Sequence, residues 1–259
     1  MKTALITGAS SGIGLELARI FAREGHRVVL VARSAAALEK LKTDLEQQYR
    51  TEAVVLPADL SRTEAPQAVF EAVQARGLTV DFLVNNAGFG EFGLFAENAW
   101  DKENQMLDLN IRALTHLTKL FLPGMLARRS GRIMQLASTA AFQPGPLMAV
   151  YYATKAYVLS FSEAIANELQ GTGVTVTALC PGPTTSGFQD AASLNDSKLV
   201  KGKKLPSSAE VAEYGYQALL RGQTVAVHGT MNWLMAQSVR FTPRKLVTAL
   251  VRRMSERAQ

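Results

Sequence analysis

The sequence predicts a doubly wound α/β fold, a seven-stranded parallel sheet with helices on both faces. Three observations lead there: short β-branched runs recur seven times, those runs are apolar on both alternating faces, and longer stretches of helical period separate them. Strands that are apolar on both sides must be covered on both sides. A parallel neighbour can be reached only by a crossover, so the helices between strands supply the cover. Ligands of such sheets bind beyond the carboxyl ends of the strands, so functional residues are expected there.

The elements follow in order. TALIT (3 to 7) is the first strand, and LELARIFAREG after it places Leu17, Ile20 and Phe21 on one helical stripe, with Gly25 as a C-terminal stop. RVVLVA (27 to 32), EAVVLPA (52 to 58) and VDFLVN (80 to 85) are the next three strands. Two long helices, about 98 to 128 and 148 to 170, flank GRIMQLAS (131 to 138). VTVTALCP (174 to 181) and TVAVHG (224 to 229) complete the seven. Regularity lapses after about residue 182 and again after 229. No internal repeat, low-complexity tract or Pro/Gly-rich linker marks a second domain. A single domain over 1–259 is expected, with a basic amphipathic tail at about 230–259.

Composition removes several classes of function. A hydrophobic content of 47% and a charged content of 19% suit a folded chain and leave no room for long disorder. No apolar run approaches the roughly 18 residues of a membrane span, and MKTALITGAS lacks the apolar core and cleavage site of a signal peptide, so a cytoplasmic place is expected. One cysteine, Cys180, cannot form an intrachain disulfide and reads as a small core residue. His26, His116 and His228 are isolated, and no metal site is expected. The net charge is +6, but Arg240, Arg244, Lys245, Arg252, Arg253 and Arg257 against Glu256 account for five of those charges. A nearly neutral body argues against a nucleic-acid channel. The absence of a GxSxG elbow argues against hydrolase chemistry.

The first strand runs directly into TGASSGIG, so Gly8, Ser10, Ser11, Gly12, Ile13 and Gly14 form a strand-to-helix turn. Glycines there let the backbone approach a pyrophosphate, and the helix that follows offers unpaired N–H groups to it. The second strand ends in Ala32 and Arg33, where an NAD-binding unit would carry an acid for the ribose 2′-hydroxyl. With no carboxylate and a guanidinium in place, a 2′-phosphate is accommodated, which predicts NADP(H). Asp59, followed by Leu60, ends the third strand, where it can accept from an adenine amino group or cap the next helix. NNAG ends the fourth. There Gly88 lets the backbone lie against a cofactor, and Asn85 and Asn86 can brace the neighbouring loops.

In VYYATKAYV two adjacent tyrosines precede a lysine. Tyr151 is four residues before Lys155 and Tyr152 three, so either can share its helix face. A phenol has a pKa of about 10, and acid–base work near neutrality requires lowering it by roughly 3 units, about 4 kcal/mol. A nearby ammonium acts in that direction.

Taken together, TGASSGIG, ADL around Asp59, NNAG, the asparagine of LDLNI, the serine of QLAS, YYATK and CPGP resemble the short-chain dehydrogenase/reductase family over nearly the whole body. The resemblance implies a Rossmann-type sheet and a catalytic tetrad. Its serine lies 13 residues before the catalytic tyrosine, which selects Tyr151 over Tyr152 and gives Asn110, Ser138, Tyr151 and Lys155. It implies NADP(H) contacts from the glycine turn, Asn86, Ala87, Gly88, Tyr151, Lys155, Pro181, Gly182 and a hydroxyl residue that here is Ser186 rather than threonine, with Thr184 and Thr185 close by. The reaction implied is reduction of a ketone or aldehyde, or the reverse, by a homodimer or homotetramer. The alternative is a noncatalytic NADP(H)-binding regulator. A flavodoxin-like signalling domain is disfavoured by the glycine turn on the first strand.

Phe89, Phe92, Phe142, Met148 and Phe188 make the substrate side apolar and predict a hydrophobic carbonyl compound. The loop from 184 to about 206 carries Lys198, Lys201, Lys203 and Lys204, either as a solvated lid or facing an anion. In the tail, Leu246, Val247, Leu250, Val251 and Met254 form one stripe with basic residues elsewhere. That stripe packs on its own body or a partner subunit, or it lies peripheral to a membrane with Trp233 and Phe241 as anchors.

Overall fold

The computed structural model describes residues 1–186, 202 and 205–256. Strands β1 (Thr3–Thr7), β2 (Arg27–Ala32), β3 (Ala53–Pro57), β4 (Phe82–Asn85), β5 (Gly131–Leu136), β6 (Val174–Cys180) and β7 (Val225–Val227) form one sheet in the order β3-β2-β1-β4-β5-β6-β7. Every pairing is parallel. The direction of winding reverses between β1 and β4, which opens a crevice at their carboxyl ends.

Alternate residues of each strand serve opposite layers. On one face Ile6, Leu30 and Val84 pack with Leu17 and Phe21 of α1 (Gly12–Arg23), Leu41 of α2 (Ala35–Tyr49) and Tyr216 of α7 (Ser208–Leu220). On the other, Leu5, Val29 and Leu83 meet Val69 of α3 (Ala65–Ala75), Phe121 of α5 (Leu114–Ala127) and Ile165 of α6 (Ala149–Glu168). This is why the strand sequences carry no polar face.

The two long helices appear as expected. The first runs through α4 (Trp100–Leu107), a π-helical stretch at Asp108–Ala113, and α5. Local signals fix other boundaries: the Ser34 hydroxyl accepts from the Ala37 amide at 3.3 Å to begin α2, and Ser207 and Glu210 form a capping box on α7. Two short helices close the chain, α8 (Thr230–Ser238) and α9 (Arg244–Ser255).

Candidate active site

The glycine turn lies at the carboxyl end of β1. Gly8 and Gly12 have positive φ, 66° and 57°, and a Cβ on Gly8 would come within 2.7 Å of Asn86 Nδ2. A side chain at Gly8 is therefore excluded twice, by backbone conformation and by space. Asn86 is the brace for this turn: its Nδ2 donates to the carbonyl of Thr7 at 2.9 Å, while the Thr7 hydroxyl accepts from the amides of Asn86 and Ala87, each at 2.9 Å. Asn85 braces the layer behind, donating to Thr118 Oγ1 at 3.1 Å and Gln135 Oε1 at 3.0 Å. Thr7, Thr118 and Gln135 carried no sequence signal, because a lone polar residue within a strand or helix does not show which neighbour it will meet.

Arg33 is exposed at the end of β2 and lines the same cleft as the glycine turn. Asp59 is occupied locally: its Oδ1 accepts from the Ser61 hydroxyl at 2.7 Å and the Ser61 amide at 3.1 Å. Partial burial raises the Asp59 pKa, but the Ser61 hydrogen bonds and the charges of Arg33 and Arg62 outweigh it and hold the carboxyl below its ordinary range. Asp59 does not cap the next helix, whose N-cap is Glu64; it closes a local turn onto Ser61 instead. Leu60, Asn86, Ala87 and Gly88 line the cleft beside it.

Ser138 follows β5 and begins a short 3-10 turn, Thr139–Phe142, accepting from the Ala140 amide at 3.1 Å. Its hydroxyl also lies 3.4 Å from the carbonyl of Pro181 and hydrogen-bonds with Tyr151. The Tyr152 phenol instead meets Ser255, and its ring lies over Gly145. The adjacent tyrosines therefore face different partners, with ring planes 76° apart. Lys155 is buried, and its Nζ donates to the Leu136 carbonyl at 2.6 Å and sits 5.8 Å from the centre of the Tyr151 ring.

Asn110 sits in the π-helical stretch with its carboxamide fully used. Oδ1 accepts from the Phe89 amide at 3.2 Å, and Nδ2 donates to the Phe89 carbonyl at 2.9 Å and to Thr154 Oγ1 at 3.1 Å. Thr154 in turn donates to the Tyr151 carbonyl at 2.7 Å, so the π stretch, the loop after β4 and α6 are tied together. Sequence reasoning missed Thr154.

One expectation is reversed in the protein alone. Burial raises the Tyr151 phenol above its ordinary range, against the smaller lowering effect of the Ser138 hydrogen bond, and burial brings Lys155 down to about 8. The expected lowering by the ammonium is not among the influences on this phenol, which are burial, the Ser138 hydrogen bond and the neighbouring Tyr152. Each group loses solvation of its charged form, which raises a phenol and lowers an ammonium.

Ser138, Tyr151 and Lys155 share one cleft of about 1100 Å³, which Asn110 and Thr154 support without lining. Gly8, Ser10, Ser11, Gly12 and Ile13 lie in its wall with Pro181, Gly182, Thr184 and Ser186, whereas Gly14 and Thr185 are not in the lining. Gly14 instead packs against the Gly8 backbone and Asn86, and Thr185 bridges to Ser207. Phe89 and Met148 line the cleft as expected. Phe92 packs in the cluster of Tyr151, Tyr152 and Val247. Phe142 is corrected: it does not line the cleft but, partly buried, packs against the cluster of Leu114, Val158 and Cys180. Phe188, Lys198, Lys201, Lys203 and Lys204 lie outside the described residues. Cys180 is fully buried, and burial pushes its thiol up to about 12. The described residues contain no cluster of three metal-ligating side chains.

The tail is part of the site. Met231, Met235 and Val239 of the α8 region and Val247, Leu250, Val251 and Met254 of α9 line the cleft, and Val247 and Val251 are buried against Met106, Met148 and both tyrosines. The predicted apolar stripe therefore divides, with Val247 and Val251 inward and Leu246, Leu250 and Met254 about half exposed. A helical pattern reveals the stripe, but only the packing of β7 and α6 decides where the tail lands.

Residues 2–197 match the family model described as short chain dehydrogenase. An uncharacterized oxidoreductase of Bacillus subtilis, YvrD, is 38% identical over 183 residues, which cover 71% of this chain and 68% of that protein. Two further curated relatives are matched over only 60% and 63% of their own length. A short-chain dehydrogenase from Sphingobium yanoikuyae, solved in complex with NADPH, is 30% identical with a TM-score of 0.83 over 93% of this chain and 94% of that one. A bulky-bulky ketone specific alcohol dehydrogenase from Comamonas testosteroni is 28% identical with a TM-score of 0.80 over 93% and 92%. With the glycine turn, the switch between β1 and β4 and the serine–tyrosine–lysine cluster in one cleft, and with the family model matched over three quarters of the length, the chain belongs to the short-chain dehydrogenase family.

Proposed function

We propose that the protein is an NADP(H)-dependent oxidoreductase that interconverts a hydrophobic ketone or aldehyde and its alcohol. The observation that carries this reading is the meeting of the Ser138 and Tyr151 hydroxyls in a cleft that is continuous with the glycine turn and Arg33. The pyrophosphate fits at Gly8 and Gly12, where a Cβ would fill the cradle, and Arg33 supplies a bidentate partner for a 2′-phosphate. The solved NADPH complex of the Sphingobium relative supports the same choice. When bound, the reduced nicotinamide supplies hydride.

The protein's own groups perform the rest. Ser138 orients the carbonyl oxygen by hydrogen bonding, and Tyr151 gives that oxygen its phenolic proton as negative charge develops there. Lys155 lies close enough to favour the phenolate that donation leaves, and its ammonium is held in place by the Leu136 carbonyl. Asn110 positions α6 through Thr154. The apolar lining from Met148, Val247 and Val251 favours a bulky hydrophobic substrate, in keeping with the bulky-ketone enzyme among the relatives.

The test is oxidation of NADPH and of NADH against a panel of ketones and aldehydes, followed by the absorbance of the reduced nicotinamide, with ordinary turnover on the order of 10 per second. Turnover with NADPH that Tyr151→Phe abolishes is the expected outcome. Tight NADPH binding with no turnover across the panel would identify the protein as a noncatalytic regulator instead, and equal efficiency with NADH would remove the assignment to Arg33.

A further inference from the structure

The outer face of α8 and α9 remains to be accounted for once their inner face has closed the cleft. Phe241, between the two helices, is 88% exposed, and Trp233 and Leu246 are 50% and 52% exposed. Arg240, Arg244, Lys245, Arg252 and Arg253 are all exposed around them, and none forms a salt bridge among the described residues. Large apolar side chains standing in water beside unpaired cations mark a surface built to be covered.

The arrangement on α9 is regular. Leu246, Leu250 and Met254 recur at every fourth residue and run along one flank, while Lys245 and Arg252 lie along the other. Helices of 9 and 12 residues are far shorter than the roughly 20 needed to span a bilayer, and among the described residues no helix is long and apolar enough to cross one. An interfacial position suits them: apolar side chains enter the acyl boundary while the cations remain at the level of anionic headgroups.

We infer that this face docks the protein onto an anionic lipid surface, with the mouth of the cleft turned toward the bilayer. The side chains that border the cleft and are also exposed, Met231, Met235, Leu250 and Met254, belong to this face. Charge decides between the lipid and a second copy of the chain. A two-fold contact would set five cations against the same five with only Glu256 nearby, whereas anionic headgroups complement them. A substrate dissolved in the bilayer would then reach the cleft without crossing water.

The test is co-sedimentation of the full-length protein with vesicles of phosphatidylcholine alone and with vesicles containing about one third phosphatidylglycerol, at low and high salt. Phe241 and Leu246 do not line the cleft, so the double variant Phe241→Ser, Leu246→Ser leaves the cofactor and substrate walls intact. Binding to the anionic vesicles is expected to be at least about tenfold stronger than to neutral ones, to weaken with salt, and to fall by about tenfold or more in the double variant. Circular dichroism and thermal melting of that variant establish that it is folded. No binding to anionic vesicles at low salt, or equal binding by the folded double variant, overturns the inference. Concentration-dependent dimerisation that the double variant abolishes, without vesicle binding, assigns the face to a second copy and overturns it as well. Vesicle binding is read without turnover, so its failure is independent of the proposed reaction.

Discussion

Tyr151 and Tyr152 are chemically identical neighbours on one helix, and their environments give them different work. The Tyr151 hydroxyl is directed to Ser138 and lies on the Lys155 side of α6, while the Tyr152 hydroxyl is directed to Ser255, the last residue of α9. Replacing Tyr151 by Phe is expected to lower kcat by about a thousandfold, the scale of a lost general acid, with NADPH affinity unchanged in a fluorescence titration. Tyr152→Phe should retain most of its turnover and should instead speed proteolysis within 244–255, because it loosens the contact with Ser255. Arg33→Ala should raise the KM for NADPH by roughly 10- to 100-fold, the value of a charge-assisted bidentate contact, and leave that for NADH almost unaltered.

At the scale of elements, α9 joins stability to specificity. Val251 is 6% exposed in the cluster that holds both tyrosines, and it also borders the cleft. Val251→Ala removes two buried methyl groups and should cost about 1.6 kcal/mol at ~0.8 kcal/mol per buried carbon. For a chain of this size that lowers Tm by roughly 3–6 °C, measurable by calorimetry. The KM for a bulky ketone should rise more than that for a small one, since the lost carbons form part of the wall. The π-helical stretch at Asp108–Ala113 has a comparable double role, since it sets the side chain of Asn110 between Phe89 and Thr154 and so fixes the approach of α6 to the cleft.

The whole molecule registers its buried groups in the pH dependence of unfolding. Lys155 titrates at about 8 in the folded chain against an ordinary 10.5, so between those values the unfolded chain holds a proton that the folded one lacks, and stability rises with pH. Cys180 acts oppositely. Its thiol titrates at about 12 when folded against an ordinary 9.0, so stability falls as pH rises across that window, and the raised Tyr151 phenol adds to the fall above its ordinary 10.0. Urea unfolding should therefore show stability increasing from about pH 8 to 9, at up to ~1.4 kcal/mol per unit, then levelling and declining. Lys155→Met should abolish the rise while leaving the decline.

The seven strands, the two long helices and the glycine turn were legible because period and backbone chemistry are local. A parallel sheet buried on both faces requires apolar strands, and a turn at positive φ requires Gly8 and Gly12. Family resemblance added the choice of Tyr151 over Tyr152, which spacing to Lys155 alone left open. Other features were decided only by tertiary contact. Thr7 became a brace because Asn86 and Ala87 offer backbone amides to its hydroxyl, and Thr154 because Asn110 Nδ2 reaches its hydroxyl from the π-helical stretch. Phe142 was turned from the cleft because it packs against Leu114, Val158 and Cys180, residues remote in sequence. The tail's apolar stripe announced an amphipathic helix but could not say which half would be buried, since a hydrophobic face carries no address. That address is supplied by Tyr152, Met148 and Met106, residues remote in sequence that meet Val247 and Val251 only when the sheet has formed. The direction of the Tyr151 shift has the same origin: desolvation depends on everything packed around a group, and a sequence lists its neighbours along the chain alone.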